Sequence, residues 1–355
     1  MIFNQDIYAV EETSLFGQTI RYRAWRNIPY VEKPVIPEYQ QLNLFAPEAF
    51  FAGESVNGYT IDTAPVFVPN TVGGYMPGAL DEPKEDRRHP GQANAIFQAL
   101  RHGYVVVVPA IRGRSQAGGQ APACIVDYKA AVRWLHHFAG SLPGDESKII
   151  TNGTSAGGAL SALMGATGGH PDYEPYLREI GAAEASDAVF AASCYCPITN
   201  LDHADMAYEW EFAGVYDYHR KHMRKDEGGR PSFEAIDGEL DELQRKTSQD
   251  LAAAFPAYVN SLDLKDETGA PLTLDAQGGG SFKVFIEKII LDSARRAMER
   301  GLDVSGKTWL TIENGQPTAM DFSAYVRDIT RMKTAPAFDD LTMTSPENNL
   351  FGTPE

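Results

Sequence analysis

Ser155 lies in the run Thr151-Asn152-Gly153-Thr154-Ser155-Ala156-Gly157-Gly158, a Gly-x-Ser-x-Gly motif. Glycines on both sides of a serine let the backbone turn sharply and lift the hydroxyl clear of a sheet, where it can act as a nucleophile. Spacing alone is weak evidence, so the flanks decide. Lys148-Ile149-Ile150-Thr151-Asn152 predicts a short buried strand, and Ala159-Leu160-Ser161-Ala162-Leu163-Met164 predicts the start of a helix. Strand, turn and helix therefore follow in the order that a nucleophile elbow requires. Asn152-Gly153-Thr154 also matches a glycosylation sequon, but inside such a turn a glycan would not fit, and the match is read as accidental.

A serine of this kind needs two further things. The first is an oxyanion hole, built from the backbone N–H of the residue after the nucleophile, here Ala156, and a second N–H from a glycine-rich loop after an earlier strand. Ala64-Pro65-Val66-Phe67-Val68 predicts that strand, and Pro69-Asn70-Thr71-Val72-Gly73-Gly74-Tyr75-Met76-Pro77-Gly78 follows it, so Gly73 or Gly74 is the candidate donor. The second is an imidazole to accept the serine proton and a carboxylate to fix its tautomer, on loops after later strands. Downstream of Ser155 the histidines are His170, His203, His219 and His222, and none follows a late strand. Asp202 and His203 are the only internal alternative, although adjacent residues can hardly orient one another.

The elements that must carry these groups suggest an α/β fold. Residues near Thr19 to Trp25 and Gln41 to Phe45 alternate as half-exposed antiparallel strands do. A helix ending near Leu100 leads to Tyr104-Val105-Val106-Val107-Val108, a β-branched run suited to a parallel sheet buried on both faces. Ile125, Tyr128, Val132 and Leu135 recur at helical spacing as far as Phe138, and Ala188 to Tyr195 predicts the next strand. This βαβα alternation predicts a mostly parallel sheet with crossover helices, that is, an α/β-hydrolase core over residues 1–200. Beyond Leu201 the character changes. Ser232 to Phe255 reads as a charged helix, Phe282, Phe285, Ile286, Ile289 and Ile290 stripe a second helix ending at Gly301, and Trp309 to Ile312 enters a hairpin at Asn314-Gly315. A third helix carries Phe322, Tyr325, Val326 and Ile329. Residues 201–355 are expected to form a mainly helical lid.

Composition narrows the function classes. At 355 residues the chain exceeds one ordinary domain core, and its net charge of −17 argues against binding a phosphate backbone. Met1-Ile2-Phe3-Asn4-Gln5-Asp6 lacks a basic region followed by an apolar stretch, and no window is long and apolar enough to span a bilayer, so a cytoplasmic chain without a membrane partner is expected. Cys124, Cys194 and Cys196 are odd in number and are expected to be reduced core thiols. No His, Cys and carboxylate cluster has metal-ligand spacing, so neither metal nor cofactor is expected.

Taken together, Val66 to Gly78, the elbow Gly153 to Gly158, Cys196-Pro197-Ile198-Thr199-Asn200, Lys333-Thr334-Ala335-Pro336-Ala337-Phe338-Asp339 and Glu347-Asn348-Asn349-Leu350-Phe351-Gly352 resemble the bacterial tannases. These are tannin acyl hydrolases of the subtype with a large lid in an α/β-hydrolase core, and the resemblance runs over essentially the whole chain. It implies hydrolysis of galloyl esters through an acyl-enzyme on Ser155. It also implies a lid lysine and a lid glutamate that bind the phenolic hydroxyls, carried here by Lys333 and Glu347; an ammonium can donate to a phenolic oxygen while a carboxylate accepts from a phenolic O–H. The family's catalytic aspartate and histidine, with a further substrate-binding acid, have no counterparts in this sequence, and the chain alone is expected to be inactive or nearly so. A feruloyl or general carboxylic-ester hydrolase, and a non-catalytic phenolic-binding protein or half of a split enzyme, are the alternative readings. Fungal-type relatives with cysteines beside the catalytic serine are disfavoured, because Thr154 and Ala156 flank Ser155.

Overall fold

The computed structural model describes residues 3–87, 89–225 and 231–352. They divide into two units, one holding the described residues up to Thr199 together with those from Pro346 onward, the other Asn200–Ser345.

The first unit is built on a seven-stranded sheet. In chain order its strands are β1 (Ala9–Leu15), β2 (Gln18–Pro29), β3 (Gln41–Pro47), β4 (Pro65–Pro69), β5 (Val105–Pro109), β6 (Asp145–Thr154) and β7 (Ala191–Tyr195). Their order across the sheet is β1-β2-β3-β5-β4-β6-β7. The first three enter as an antiparallel meander, β3 pairs antiparallel with β5, and β5, β4, β6 and β7 run parallel. The valine run of β5 shows why these residues choose this place. Val105 and Val107 enter one core, Val106 and Val108 the core on the opposite face, and all four are fully buried. A strand apolar on both sides is stable only where both faces are covered.

Helices supply the cover. α1 (Ala95–Arg101) packs on one face through Ile96, Phe97 and Leu100, with Asn94 capping its start by accepting from the Phe97 N–H. α2 (Ala123–His137) and α3 (Ala156–Ala166), with α4 (Glu174–Glu179), belong to the larger core, where Trp134, Tyr128 and Phe45-flanking Leu44 are among the buried side chains. Connections from β4 and from β6 thus leave toward opposite faces. The crevice between the carboxyl ends of these two neighbouring strands is a topological switch point, the place where α/β sheets bind ligands. The glycine-rich loop after β4 and the elbow after β6 both start there. Strand β7 is shorter than expected, with residues 188–190 outside it.

In the second unit, α5 (Leu201–Glu211), α6 (Glu242–Ser261), α7 (Ser281–Glu299) and α8 (Phe322–Ile329) are joined by two antiparallel ribbons, β8 (Asp217–Lys225) with β9 (Pro231–Glu239) and β10 (Leu310–Glu313) with β11 (Gln316–Met320). Residues 232–239 are therefore a strand where a helix was expected. The β8–β9 ribbon is rich in charge, and none of its described side chains is buried, so little apolar alternation marks it as a strand in the sequence. The helix starts only at Glu242, behind a capping box formed by Asp241 and Gln244. The last helix, α9 (Pro346–Phe351), packs with the first unit, its Leu350 joining that core, although the sequence reading grouped it with residues 201–345.

The cysteines correct another expectation. All three are free, but only Cys124 is buried; Cys194 is half-buried and Cys196, past the end of β7, is exposed. Among the described residues no helix is long and apolar enough to cross a membrane, and no group of three or more His, Cys, Asp or Glu could hold a metal.

Candidate active site

Strand β6 delivers Ser155 to the switch point in a conformation that little besides a functional turn would hold. Its φ is 58° and ψ −121°, a region costly for a residue with a side chain. Neighbouring backbone fixes it: the Ser155 N–H donates to Tyr195 O of β7 at 3.0 Å, and Ser155 O accepts from the Ala159 N–H at 2.9 Å as α3 begins. The turn is tight enough to demand glycine on both sides. A Cβ on Gly153 would lie 2.2 Å from Gly157 O, and one on Gly158 would lie 2.5 Å from Tyr195 O. Ala156 and Gly157 open α3, so their N–H groups have no partner within the helix and form the positive end of its dipole.

The loop after β4 meets this turn directly. A Cβ on Gly157 would come within 2.7 Å of Val72 O, so the two segments are in backbone contact. Gly73 and Gly74 form a tight turn in which the Met76 N–H donates to Gly73 O at 3.0 Å, with φ of 54° at Gly74 and 56° at Tyr75. A clamp from the segment after β5 holds that turn: Arg114 donates from Nε to Gly74 O at 2.8 Å and from its backbone N to Tyr75 O at 2.9 Å. Gly113 is required there, since a Cβ would sit 2.3 Å from Pro77 N. The clamp is itself anchored by Arg112, whose guanidinium and N–H bind the fully buried Asp127 of α2, which Gln40 also contacts. Burial pushes the Asp127 carboxyl up, against the opposing pull of Arg112.

Helix α9 closes over the same region of the first unit. Arg114 Nη1 donates to Asn349 Oδ1 at 3.2 Å, and the Ala121 N–H to Leu350 O at 2.8 Å. Glu347, in the first turn of α9, is 5% exposed, and its Oε2 finds no hydrogen-bond partner among the described residues. Burial, with the Glu347 charge second, pushes the Tyr75 phenol up to about 12.

Lys333 lies in the second unit, in a loop held to α5. Arg331, fully buried, pairs with the equally buried Glu209 at 2.6 Å and donates from Nε to Lys333 O at 2.8 Å. The Tyr208 hydroxyl accepts from the N–H groups of Met332 and Lys333, and the Asp205 carboxylate from those of Phe338 and Asp339. The Lys333 ammonium donates to Ala337 O at 3.0 Å and lies 3.9 Å from the centre of the Phe338 ring.

No histidine is brought to Ser155 by a hydrogen bond among the described residues. His170 is exposed and close to Asp172. His203 stacks on Tyr258 and bonds Asn200 rather than Asp202, and both it and Asp202 lie on α5 rather than in a loop. His219 sits between Asp237 and Asp217, and the hydrogen bond to Asp237 first among them pushes its pKa up. The side chain of His222 lies outside the described residues. Sequence reasoning missed Asn70, Gly113, Arg114 and the Asp205, Tyr208 and Arg331 clamp. The glycine in Ile111-Arg112-Gly113-Arg114 was the one local sign of a close approach.

Comparison with known proteins agrees with this geometry. The chain matches the tannase from Lactobacillus plantarum at 48% identity with a TM-score of 0.94, over 99% of this chain and 77% of that one. The chain belongs to the bacterial tannase family. A tannase from Fusobacterium nucleatum is similar at 46% identity and a TM-score of 0.93, over 99% of this chain and 76% of the other. A tannin acyl hydrolase solved in complex with ethyl gallate matches at 47% identity and a TM-score of 0.90, over 98% of this chain and 75% of that one. The BD-FAE family model matches residues 73–211, which run from the glycine loop through the elbow to α5. Over 159 residues the chain is also 31% identical to the carboxylesterase NlhH of Mycobacterium tuberculosis, covering 43% of this chain. It spans about half the length of that curated relative, 47%. The α/β-hydrolase fold of the tannase family and its carboxylic-ester hydrolase relatives is thus the setting in which Ser155 and its loop are found.

Proposed function

We propose that Ser155 is the nucleophile of a serine esterase that hydrolyses galloyl and related phenolic-acid esters. The observation that carries the reading is Ser155 itself, strained at the switch point between β6 and α3 in a chain nearly half identical to tannases. The hydroxyl oxygen attacks the ester carbonyl, its proton passes to a general base, and the alcohol leaves to give a galloyl-enzyme that water then hydrolyses. The negative charge of the tetrahedral intermediate falls to the Ala156 N–H and to an N–H of Gly73 or Gly74. No histidine among the described residues hydrogen-bonds to Ser155, and no residue is assigned as the base.

Substrate choice rests on two residues and on relatives. Solved tannin acyl hydrolases hold ethyl gallate and 3,4-dihydroxybenzoate, both phenolic. The unpartnered Oε2 of buried Glu347 suits a phenolic O–H donor, and the Lys333 ammonium suits a phenolic oxygen. The BD-FAE and carboxylesterase matches favour a general ester hydrolase as the second reading. Turnover of gallate, ferulate and acetate esters by the full-length protein, beside its Ser155→Ala variant, tests both. Gallate turnover lost in Ser155→Ala, with trapped galloyl-enzyme detected by mass in the parent, is expected. Equal turnover of all three esters would leave only the broader reading, and an active Ser155→Ala would end both.

A further inference from the structure

We propose that Asn70 is a positioning residue for acyl transfer, its carboxamide locking the loop after β4 to the start of α3 so that the backbone donors of both converge on one oxyanion. This rests on the reading of Ser155 as nucleophile. Asn70 is the first residue after β4 and is 9% exposed. Its Nδ2 donates toward Asn152 O at 2.9 Å, Gly157 O at 3.0 Å and the fully buried Ser161 Oγ at 3.2 Å. Its Oδ1 accepts from the Val72 N–H at 3.3 Å. Two carbonyl oxygens on one side and an N–H on the other leave the amide a single orientation.

Two of these ties end one residue from a proposed oxyanion donor: Val72 precedes Gly73, and Gly157 follows Ala156. The glycines of the elbow acquire a second purpose from this. A Cβ on Gly153 would lie 2.5 Å from Asn70 Nδ2, and one on Gly157 2.4 Å from Asn70 Oδ1. Both glycines of Gly-x-Ser-x-Gly therefore leave room for one side chain from another strand, in addition to permitting the turn. Outside that space the loop and the helix would be free to drift apart by the few tenths of an ångström that separate a good oxyanion hole from a poor one.

The test compares kcat and KM for a gallate ester in the full-length parent protein and in Ser155→Ala, Asn70→Ala, Asn70→Asp, Gly157→Ala and the Asn70→Ala/Gly157→Ala double variant. Deleting an oxyanion donor costs about 10²–10³ in kcat, and displacing the donors without deleting them should cost less, about 10- to 100-fold. Asn70→Ala and Asn70→Asp should both show this loss in kcat with KM within about threefold, a split that belongs to a group acting only in the transition state. The isosteric aspartate fills the same space but cannot donate, so its rate relative to the parent should climb as pH falls and its carboxyl regains a proton. In the double variant the Gly157→Ala methyl loses its clash with Asn70 and keeps only the one with Val72 O, so the loss should be no greater than in Gly157→Ala alone, whereas independent effects would multiply. Rates are referred to folded molecules by titrating Ser155 with a fluorophosphonate, so a poorly folding variant still reports. With Ser155→Ala inactive, an Asn70→Ala or Asn70→Asp variant within about threefold of the parent kcat overturns the inference, as does a rise in KM that accounts for the whole loss. An active Ser155→Ala instead removes the nucleophile reading beneath it.

Discussion

Replacing Glu347 with glutamine should move stability and catalysis in opposite directions. The carboxylate is 5% exposed and one of its oxygens has no partner among the described residues, so the folded chain carries a desolvation cost that only a donor from outside can relieve. Leaving such a group unsatisfied costs about 1–3 kcal/mol. An amide of the same shape bears less of that cost, and Glu347→Gln should stabilise the protein by about 1 kcal/mol. Toward a gallate ester the change runs the other way. A hydrogen bond to a charged acceptor contributes about 1.5–3 kcal/mol and a neutral one about 0.5–1.5. Glu347→Gln should therefore lose about 1–1.5 kcal/mol, roughly 5- to 13-fold in kcat/KM, and Glu347→Ala about 10- to 150-fold. An acetyl ester, with no phenol to hold, should be affected less than about twofold. Urea unfolding of the ligand-free protein and paired kinetics on the two esters read both quantities. Equal losses on gallate and acetyl esters, or a Glu347→Gln protein less stable than the parent by 1 kcal/mol or more, would refute the reasoning.

Acid should weaken the first unit through the cluster of Lys129, Arg133, Glu174 and Asp187. Burial pushes Asp187 up, but the Gly169 N–H, Lys129 and Arg133 outweigh it and hold the carboxyl below its ordinary range, and Arg133 does the same for Glu174. A carboxylate depressed in the folded state stabilises above its unfolded pKa of about 4, and that contribution is lost as pH falls through the lower folded value. The melting temperature of the parent should fall steeply below about pH 4, and Asp187→Asn, less stable at neutral pH, should show a shallower slope; parallel slopes would remove Asp187 from the account. In the second unit, Glu209→Ala strands the fully buried Arg331 guanidinium and should cost about 3–5 kcal/mol, measured by chemical unfolding followed at Trp210. Because Arg331 also holds Lys333 O, folded Glu209→Ala protein should show a raised KM for gallate esters but not for acetyl esters.

How much of this could be read from the sequence depends on how local each cause is. The β5 valines declare themselves as an unbroken β-branched run, α2 by apolar residues recurring at helical spacing and the hairpin by its Asn314-Gly315 pair, each a signal carried by contiguous residues. The β8–β9 ribbon does not, because its charged sequence carries no comparable apolar pattern. Asn70 was visible as part of a loop, yet nothing in Pro69-Asn70-Thr71 tells that its amide meets Asn152, Gly157 and Ser161, between 82 and 91 residues further on. The same holds for Gly113 against Pro77 and for Arg331 against Glu209.

Sequence by itself determined the sharp turn that carries Ser155, because its geometry is imposed by contiguous residues whose glycines admit a conformation that other residues resist. It also determined the alternation of strands and helices in the first unit, whereas the pairing of β4 with β6, and so the switch point, came from the structure. Tertiary structure alone decided what surrounds that serine: which loop rests on α3, that α9 belongs to the first unit, that Glu347 is buried with one oxygen lacking a hydrogen-bond partner among the described residues, and that no described histidine hydrogen-bonds to Ser155. Those facts arise from contacts between segments far apart in the chain, where partner identity depends on sub-ångström packing and hydrogen-bond geometry that no local pattern of residue types encodes.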